Sequence, residues 1–172
     1  IEEGVVRIEE TNSLRGEALA LRAFAHFNIW QMYGVYNLGS LAVPYVTLQD
    51  LSGNGIPDGL DVGNKPARPT GTEFFTFLFE DLNEAEGLLP AQGATKYRIT
   101  RDAVIAQKAR ANLFRGNYTE AAAQAEDVIG RVAMSTLNEV PQVWADVSQA
   151  GIIFALSRLP GESRMGTLFE DL

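Results

Sequence analysis

The sequence contains no cysteine and only one histidine, His26. The absence of cysteine excludes disulfides, thiolate nucleophiles and cysteine-based metal sites, and it leaves the cellular compartment open. The histidine lies within a long apolar stretch, a setting that favours a hydrogen-bonded structural role over a catalytic one. The sequence also lacks a G-x-S-x-G motif, a phosphate-binding loop and a dinucleotide fingerprint. It therefore offers no identifiable enzyme site.

Positive charge and long apolar runs are also scarce. Asp and Glu number 22 against 14 Lys and Arg, which gives a formal net charge of -8. No cluster of basic residues is present, so the sequence predicts no binding to nucleic acid. No apolar run approaches the length of a membrane span, so no transmembrane helix is expected. The chain begins at Ile1 without a methionine or a signal peptide, and we expect a fragment or a processed chain.

One stretch, residues 14–34, is apolar on nearly every side and is long enough for about five helical turns. We expect this helix to be buried at the centre of the fold. Ser13 is a candidate N-cap, after an earlier helix that ends near Glu10, and Gly34 is the expected left-handed end. The spacing predicts a core-facing stripe of Leu14, Ala18, Leu21, Ala25 and Met32, widened by Ala20, Phe24, Phe27, Ile29 and Trp30.

Three further helices are indicated downstream. Thr70, with Glu73 three residues later, forms a capping box, and Pro90 marks the end of that helix. Thr100 is the expected N-cap of the next helix. A Gly-Asn turn at residues 116–117 joins it to the last one. Because this turn is very short, the two helices must pack antiparallel, and together they match the ~34-residue size of one tetratricopeptide unit.

The remaining segments are expected to be irregular. Residues 47–69 form a long loop without helical or strand periodicity, and loops of this length are usually functional or disordered. Residues 131–172 form an irregular tail, in which residues 152–156 suggest a short buried strand or an extended segment. The sequence thus predicts one all-α domain over residues 1–172, built from tetratricopeptide-like antiparallel helix pairs with long loops.

The long loop contains a candidate calcium site. A twelve-residue calcium loop takes its ligands from positions 1, 3, 5, 7, 9 and 12 and has a glycine at the sharp turn, where Gly55 stands here. The residues at the six ligand positions are Asp50, Ser52, Asn54, Ile56, Asp58 and Asp61. Pro57 and the aspartate in place of the final glutamate count against calcium. A glycine-rich turn of similar composition is the alternative interpretation.

Tyrosines in the connections between helices are candidate ligand contacts. Tyr36, Tyr45 and Tyr97 lie in loops or near helix ends, where an aromatic ring can stack on a sugar or on a partner. A single aromatic residue in such a place more often covers the core. The sequence does not decide between these roles.

Three motifs, taken together and in order, resemble the SusD/RagB family. The first helix carries the family pattern at Glu17, Ala18, Leu21, Arg22, Ala23, Phe27, Tyr33 and Gly34. The second carries it at Asp81, Leu82, Ala85, Leu89 and Pro90. The helix pair carries it at Arg98, Thr100, Ala103, Ala109, Arg110, Gly116, Tyr118, Ala121, Ala125, Val128 and Ile129. No single motif is decisive, but the series covers most of the chain.

The resemblance implies a tetratricopeptide-like fold and ligand capture rather than catalysis. Family members are surface lipoproteins, lipid-anchored at the outer membrane, that capture glycans or other nutrients for a TonB-dependent, SusC-like transporter. The resemblance therefore implies an oligosaccharide or polysaccharide ligand, no enzyme activity and no cofactor other than the calcium considered above. The alternative class is a helical-repeat scaffold that binds another protein and no small ligand.

The sequence also departs from the family pattern. Members are much longer, and the lipidated N-terminal cysteine is absent. Gly151 stands where glutamate is usual, and no ligand-contacting motif is matched, so the ligand residues of the family cannot be transferred. For Glu17 and Arg22, which are fixed points of the pattern, we predict hydrogen bonds or ion pairs within the scaffold.

Overall fold

The computed structural model of the chain describes residues 8–47, 65–93, 95–145 and 147–156. Within these ranges the chain forms five helices, which are α1 (Ile8–Tyr33), α2 (Gly71–Leu88), α3 (Arg101–Phe114), α4 (Tyr118–Ile129) and α5 (Val140–Trp144). The predicted all-α fold is confirmed. None of the described helices combines the length and apolarity that a membrane crossing requires. The candidate calcium loop, residues 50–61, lies outside the described residues, and the site stays a prediction.

The helices pack in chain order. α1 packs on α2, α2 on α3 and α3 on α4, whereas α1 and α3 touch only slightly. Gly116 has a φ of 85°, a left-handed conformation that glycine adopts without strain, and this allows the tight turn between α3 and α4. The Asn112 side-chain amide donates to the Gln124 carbonyl oxygen at 3.0 Å and joins these two helices. The predicted antiparallel pair is therefore present.

The core is built from aromatic rings of α1, α2 and α3. Trp30 is 1% exposed, and its ring lies edge-to-face on Phe75 with the centroids 4.9 Å apart. Phe27 packs edge-to-face on Phe114 at 5.6 Å, and Phe74 stacks near Trp30 at 6.1 Å. Offset and edge-to-face pairs of this kind are favoured by the ring quadrupole in addition to area burial. The prediction that Trp30 faces the core is confirmed.

The predicted start of α1 is wrong, and its predicted end at Gly34 is right in position but not in conformation. The helix runs without interruption through residues 11–13, so Ser13 does not cap it. These polar residues include neither glycine nor proline, and the helix tolerates them. Gly34 does follow the last helical residue, but its φ is not positive. Glycine is needed there because a Cβ would lie only 2.5 Å from Trp30 Cδ1.

The predicted core stripe of α1 is wrong for its five central residues, whereas three of the residues expected to widen it, Ala20, Phe27 and Trp30, do face the core. The side of the helix that α2 covers carries Ala20, Ala23, Phe27 and Trp30. The stripe of Leu14, Ala18, Leu21, Ala25 and Met32 lies on the opposite side and is exposed. A helix that is apolar on most sides does not reveal which side its neighbours cover, and the described part of the chain covers only one.

Sequence signals at the other helix ends had mixed success. The capping box is confirmed, since Thr70 Oγ1 accepts from the Glu73 amide and the Glu73 carboxylate accepts from the Thr70 amide. Thr100 occupies the predicted N-cap position, but its side chain makes no capping hydrogen bond. The short α5 was not predicted, and Trp144 at its end is largely exposed. Residues 152–156 form no strand and are half-buried or exposed.

Candidate functional site

Tyr45 lies in the core rather than on a free surface. Its side chain is 5% exposed, and its hydroxyl donates to Asp81 Oδ2 at 2.7 Å. Burial raises the pKa of the Tyr45 hydroxyl, with the adjacent Asp81 carboxylate adding to the effect, so the hydroxyl keeps its proton. This placement favours a structural role for the ring over contact with a ligand.

Asp81 joins Tyr45 to α1 through a bidentate ion pair. Arg22 Nε donates to Asp81 Oδ2 at 2.7 Å, and Arg22 Nη2 donates to Oδ1 at 2.6 Å. The Asp81 carboxylate raises the pKa of the Arg22 guanidinium. The carboxylate thus accepts three hydrogen bonds and locks the 41–47 connection onto both helices. We call Arg22, Tyr45 and Asp81 the helix network.

His26 supports the same connection from α1. Its Nε2 accepts from the Val46 amide at 3.0 Å, and its Nδ1 lies 2.9 Å from the Arg22 carbonyl oxygen. This geometry assigns the proton to Nδ1, because a carbonyl oxygen can only accept. The ring also stacks on Tyr45 with centroids 4.3 Å apart. The predicted hydrogen-bonded structural role of His26 is confirmed.

The predicted scaffold contacts of Glu17 and Arg22 are both present. Glu17 pairs with Arg98, whose Nε lies 2.8 Å from Oε1 and whose Nη2 lies 2.6 Å from the same oxygen. The first contact ties α1 to the loop before α3, and the Arg22 contact ties α1 to α2. Both residues therefore hold α1 to other parts of the scaffold.

Tyr36 and Tyr97 are more exposed than Tyr45. Tyr36 packs edge-to-face on Trp30 at 5.2 Å and stacks near Phe114 at 6.1 Å, so it covers one end of the aromatic core. Tyr97 is 48% exposed, and its hydroxyl lies 3.4 Å from Gln149 Nε2. Among the three predicted tyrosines, Tyr97 lies beside a cavity built from loops.

This cavity, which we call the loop cavity, has a volume of about 380 Å³. Its walls come from the loop between α2 and α3, the start of α3, and the segments before and after α5. The lining residues are Ala91, Gln92, Gly93, Thr95, Lys96, Thr100, Asp102, Arg131, Val132, Ala133, Gln149, Ala150, Gly151 and Ile153. The volume falls within the range typical of small-molecule sites.

Two hydrogen bonds to backbone carbonyl oxygens hold the walls of the loop cavity together. The Ala155 amide donates to the Lys96 carbonyl oxygen at 2.8 Å, and Ser135 Oγ donates to the Ala150 carbonyl oxygen at 2.5 Å. Gly151 has a φ of 71°, and a Cβ there would lie 2.8 Å from the Ser135 amide nitrogen. A larger residue at this position would push the wall apart.

One ion pair crosses the floor of the loop cavity. Arg131 Nε donates to Asp102 Oδ1 at 2.8 Å, and the Asp102 side chain is almost buried. Arg131 also pairs with Asp127, which lowers the pKa of the Asp127 carboxyl and raises that of the guanidinium. Arg131 is shared between the two carboxylates and donates only to Oδ1 of Asp102. Asp102 Oδ2 therefore receives no hydrogen bond from the described residues.

Other polar side chains that line the loop cavity also lack partners among the described residues. The Thr100 hydroxyl makes no hydrogen bond with the part of the chain that the structure describes, and Lys96 forms no ion pair within it. Gln92 and Thr95 add an amide and a hydroxyl to the same lining. Donors and acceptors that converge on a cavity without internal partners are suited to a ligand with many hydroxyl groups.

A larger cavity of about 680 Å³ lies between α1 and α2. Its lining includes the helix network, and Arg15 and Glu84 at its mouth pair with each other. Most of its charged side chains are therefore satisfied by one another. The loop cavity offers more unpaired polar groups and is the better candidate for ligand binding. The described residues contain no cluster of three or more His, Asp or Glu side chains that could hold a metal ion.

Sequence reasoning missed most of the loop cavity. Arg131 and Gln149 lie in residues 131–172, which the sequence predicts to be an irregular tail. The one usable signal was Gly151, which departs from the family pattern and proves to have a left-handed backbone. The cavity depends on contacts between segments about 50 residues apart, which no local pattern records.

Comparisons with a family model and with solved structures lead to the same family. A SusD-like family model, described as "Starch-binding associating with outer membrane", matches residues 2–113. A search of curated proteins finds no match. Solved structures do match, beginning with a SusD superfamily protein from Bacteroides thetaiotaomicron at 25% identity and a TM-score of 0.75, covering 91% of this chain and 33% of that one.

Two other solved structures are similar. A proposed sugar-binding protein from Bacteroides vulgatus is 28% identical with a TM-score of 0.68, covering 90% of this chain and 35% of that one. A laminarin-binding SusD-like protein shares the fold at 23% identity with a TM-score of 0.62, covering 86% of this chain and 30% of that one. The chain thus spans about a third of the length of these structures. Since the family model covers well over half of its residues, the chain belongs to the SusD-like family.

Proposed function

We propose that this chain captures a glycan, without chemical change, in the loop cavity. The observation that carries the proposal is the set of unpaired donors and acceptors in that cavity, and the Tyr97 hydroxyl lies 3.4 Å from the lining residue Gln149. A sugar ring presents hydroxyl groups at its rim and C–H groups on its faces, so it suits convergent polar side chains beside an aromatic ring. The sugar-binding and laminarin-binding descriptions of two relatives support the same ligand class.

The wider setting follows from the family. The family description places its members at the outer membrane, and we propose that the protein acts on the cell surface through a lipid anchor. There it would present the captured glycan to a TonB-dependent, SusC-like transporter. Copurification of such a transporter with the tagged protein from outer membranes would test this partnership separately from glycan binding.

Affinity gel electrophoresis tests capture directly. The protein is run through native gels that contain starch, laminarin or other neutral and acidic polysaccharides. We expect at least one polysaccharide to retard the chain. Gln149→Ala should weaken that retardation about fivefold, because it removes one hydrogen bond from the protein to the glycan, worth about 1 kcal/mol.

Gln142→Ala is the matched control, since Gln142 is an exposed glutamine outside the loop cavity. It should leave retardation unchanged. An absence of retardation by every polysaccharide, together with tight binding to a protein partner, would favour the alternative of a helical-repeat scaffold. Equal losses in the two variants would show that the glycan binds elsewhere.

A further inference from the structure

Lys96 is a half-buried cation that has no carboxylate partner in the described part of the chain. The lysine and arginine residues that are half-buried there are Arg22, Lys96 and Lys108. Arg22 pairs with Asp81 at 2.6 Å, and Lys108 Nζ lies 2.8 Å from Glu86 Oε2. The Lys96 side chain makes neither an ion pair nor a hydrogen bond with the described residues. A charge that loses water without gaining a partner costs free energy, so this lysine differs from the other two.

The backbone of Lys96 is fixed where two segments of the loop cavity meet. Its carbonyl oxygen accepts a hydrogen bond from the Ala155 amide at 2.8 Å, which joins the loop before α3 to the segment after α5. Lys96 itself belongs to the lining of the loop cavity. The side chain therefore starts from a defined point on the cavity wall rather than from a free loop.

The charges of the lining leave Lys96 uncompensated. Asp102 is the one acidic residue in the lining of the loop cavity, as far as the structure describes the chain, and Arg131 Nε donates to its Oδ1 at 2.8 Å. Arg131 is also held by Asp127, which lies outside the lining. Lys96 is therefore the one basic residue of the lining that is available to a ligand. The chain as a whole has a formal net charge of -8, so it carries eight more acidic than basic groups and still leaves this lysine unpaired.

We infer that the loop cavity prefers a glycan that carries anionic groups, either carboxylate or sulfate, and that Lys96 pairs with one of them. The inference rests on the proposed function, since it names the class of glycan that the cavity captures. Asp102 Oδ2 and the Gln149 amide would bind hydroxyl groups of the same sugar. A hydrogen bond from an ammonium to an anion is stronger than one between neutral groups, so Lys96 would select against an uncharged glycan of the same shape.

Matched pairs of polysaccharides test this preference by affinity gel electrophoresis. Polygalacturonate is compared with its methyl ester, and dextran sulfate with dextran. Each pair keeps one sugar backbone and differs in charge. The first pair tests a carboxylate and the second a sulfate. Because the protein is acidic, its net charge opposes nonspecific attraction to a polyanion.

We expect the anionic member of at least one pair to bind about tenfold more tightly than its neutral counterpart, since a hydrogen bond to a charged group has about this value. Lys96→Gln should remove that difference. Lys65→Gln is the matched control, because Lys65 is exposed and lies outside the lining of the loop cavity. Both variants change the net charge equally, and Lys65→Gln should keep the preference.

Equal affinity for both members of each pair, or a preference for the neutral members, would overturn the inference and leave glycan capture standing. Equal losses in Lys96→Gln and Lys65→Gln would also overturn it, because net charge alone would then explain the preference. Retardation by no polysaccharide of any kind would overturn the proposed function and the inference together. A preference in only one pair would support the inference and identify the anionic group as carboxylate or sulfate.

Discussion

Two arginine–carboxylate pairs in this protein have similar parts and different surroundings. Arg22 and Asp81 form a bidentate pair between helices, and Tyr45 donates a third hydrogen bond to the carboxylate. Arg131 donates one hydrogen bond to Asp102 beside the loop cavity, and its guanidinium also donates to Asp127. The first carboxylate is satisfied by the fold, whereas the second keeps an oxygen available. We therefore assign the Arg22–Asp81 pair to the structural scaffold and Asp102 to the candidate binding site.

The largest effect is expected from Asp81→Ala. The substitution leaves the Tyr45 hydroxyl and the Arg22 guanidinium without their shared partner in a largely buried position. Loss of one member of a buried pair typically costs 3–5 kcal/mol, and Arg22 is partly exposed, so we expect about 3 kcal/mol. Urea denaturation followed by circular dichroism measures this change. Arg15→Ala, which breaks the exposed pair with Glu84, should cost less than about 0.5 kcal/mol.

If both variants lost the same free energy of unfolding, the helix network would contribute no more to stability than a surface ion pair. In the same measurement, Arg22→Ala should also lower the free energy of unfolding, as Asp81→Ala does. A variant of Arg22 that loses glycan binding at unchanged stability would contradict the structural role assigned to this residue.

Gly151→Ala is expected to have the next largest effect. An alanine in a left-handed conformation costs about 1–2 kcal/mol, and the added Cβ also meets Ser135. We expect a loss of about 2 kcal/mol in the free energy of unfolding and weaker retardation in glycan-containing gels. Gly116→Ala is the matched control, because Gly116 has a similar φ and open space around the position of a Cβ.

Gly116→Ala should cost about 1 kcal/mol and leave glycan retardation unchanged. If both variants lowered stability and glycan retardation by the same amounts, contact with Ser135 would have no special role in shaping the loop cavity.

A smaller effect is expected from Asp102→Asn. Arg131 keeps its contact with Asp127, so the substitution leaves no guanidinium without a partner. We expect about 1 kcal/mol of lost stability, measured by the same denaturation. A loss as large as that of Asp81→Ala would remove the distinction between the two ion pairs.

The smallest effect concerns the cap of α2 and depends on pH. Hydrogen bonds from the Thr70 amide and hydroxyl hold the pKa of Glu73 below its ordinary value of 4.5. A lowered pKa in the folded state stabilises the protein above pH 4.5, and this contribution is lost as the pH falls through the lowered pKa. The stability difference between wild type and Glu73→Ala should therefore be full at pH 7 and decline below pH 4.5. A difference that does not change with pH would contradict this assignment.

The fold was more predictable from sequence than the candidate site. Local signals such as the Thr70–Glu73 capping box and the Gly116 turn depend on neighbouring residues, and the structure contains both. The buried side of α1 was not predictable in this way, since leucine and alanine occur around most of the helix. The loop cavity requires Tyr97 and Gln149 to meet across 52 residues. Only the three-dimensional packing of the loops specifies that contact.

Residue-resolved mapping of glycan binding is the most direct test of the central claim that the loop cavity captures a ligand. In amide NMR spectra, a polysaccharide that retards the chain should shift the signals of Gly93, Lys96, Gln149 and Gly151 on titration, while those of Arg22, Tyr45 and Asp81 stay in place. Shifts confined to the helix network, with the loop cavity unaffected, would contradict the claim.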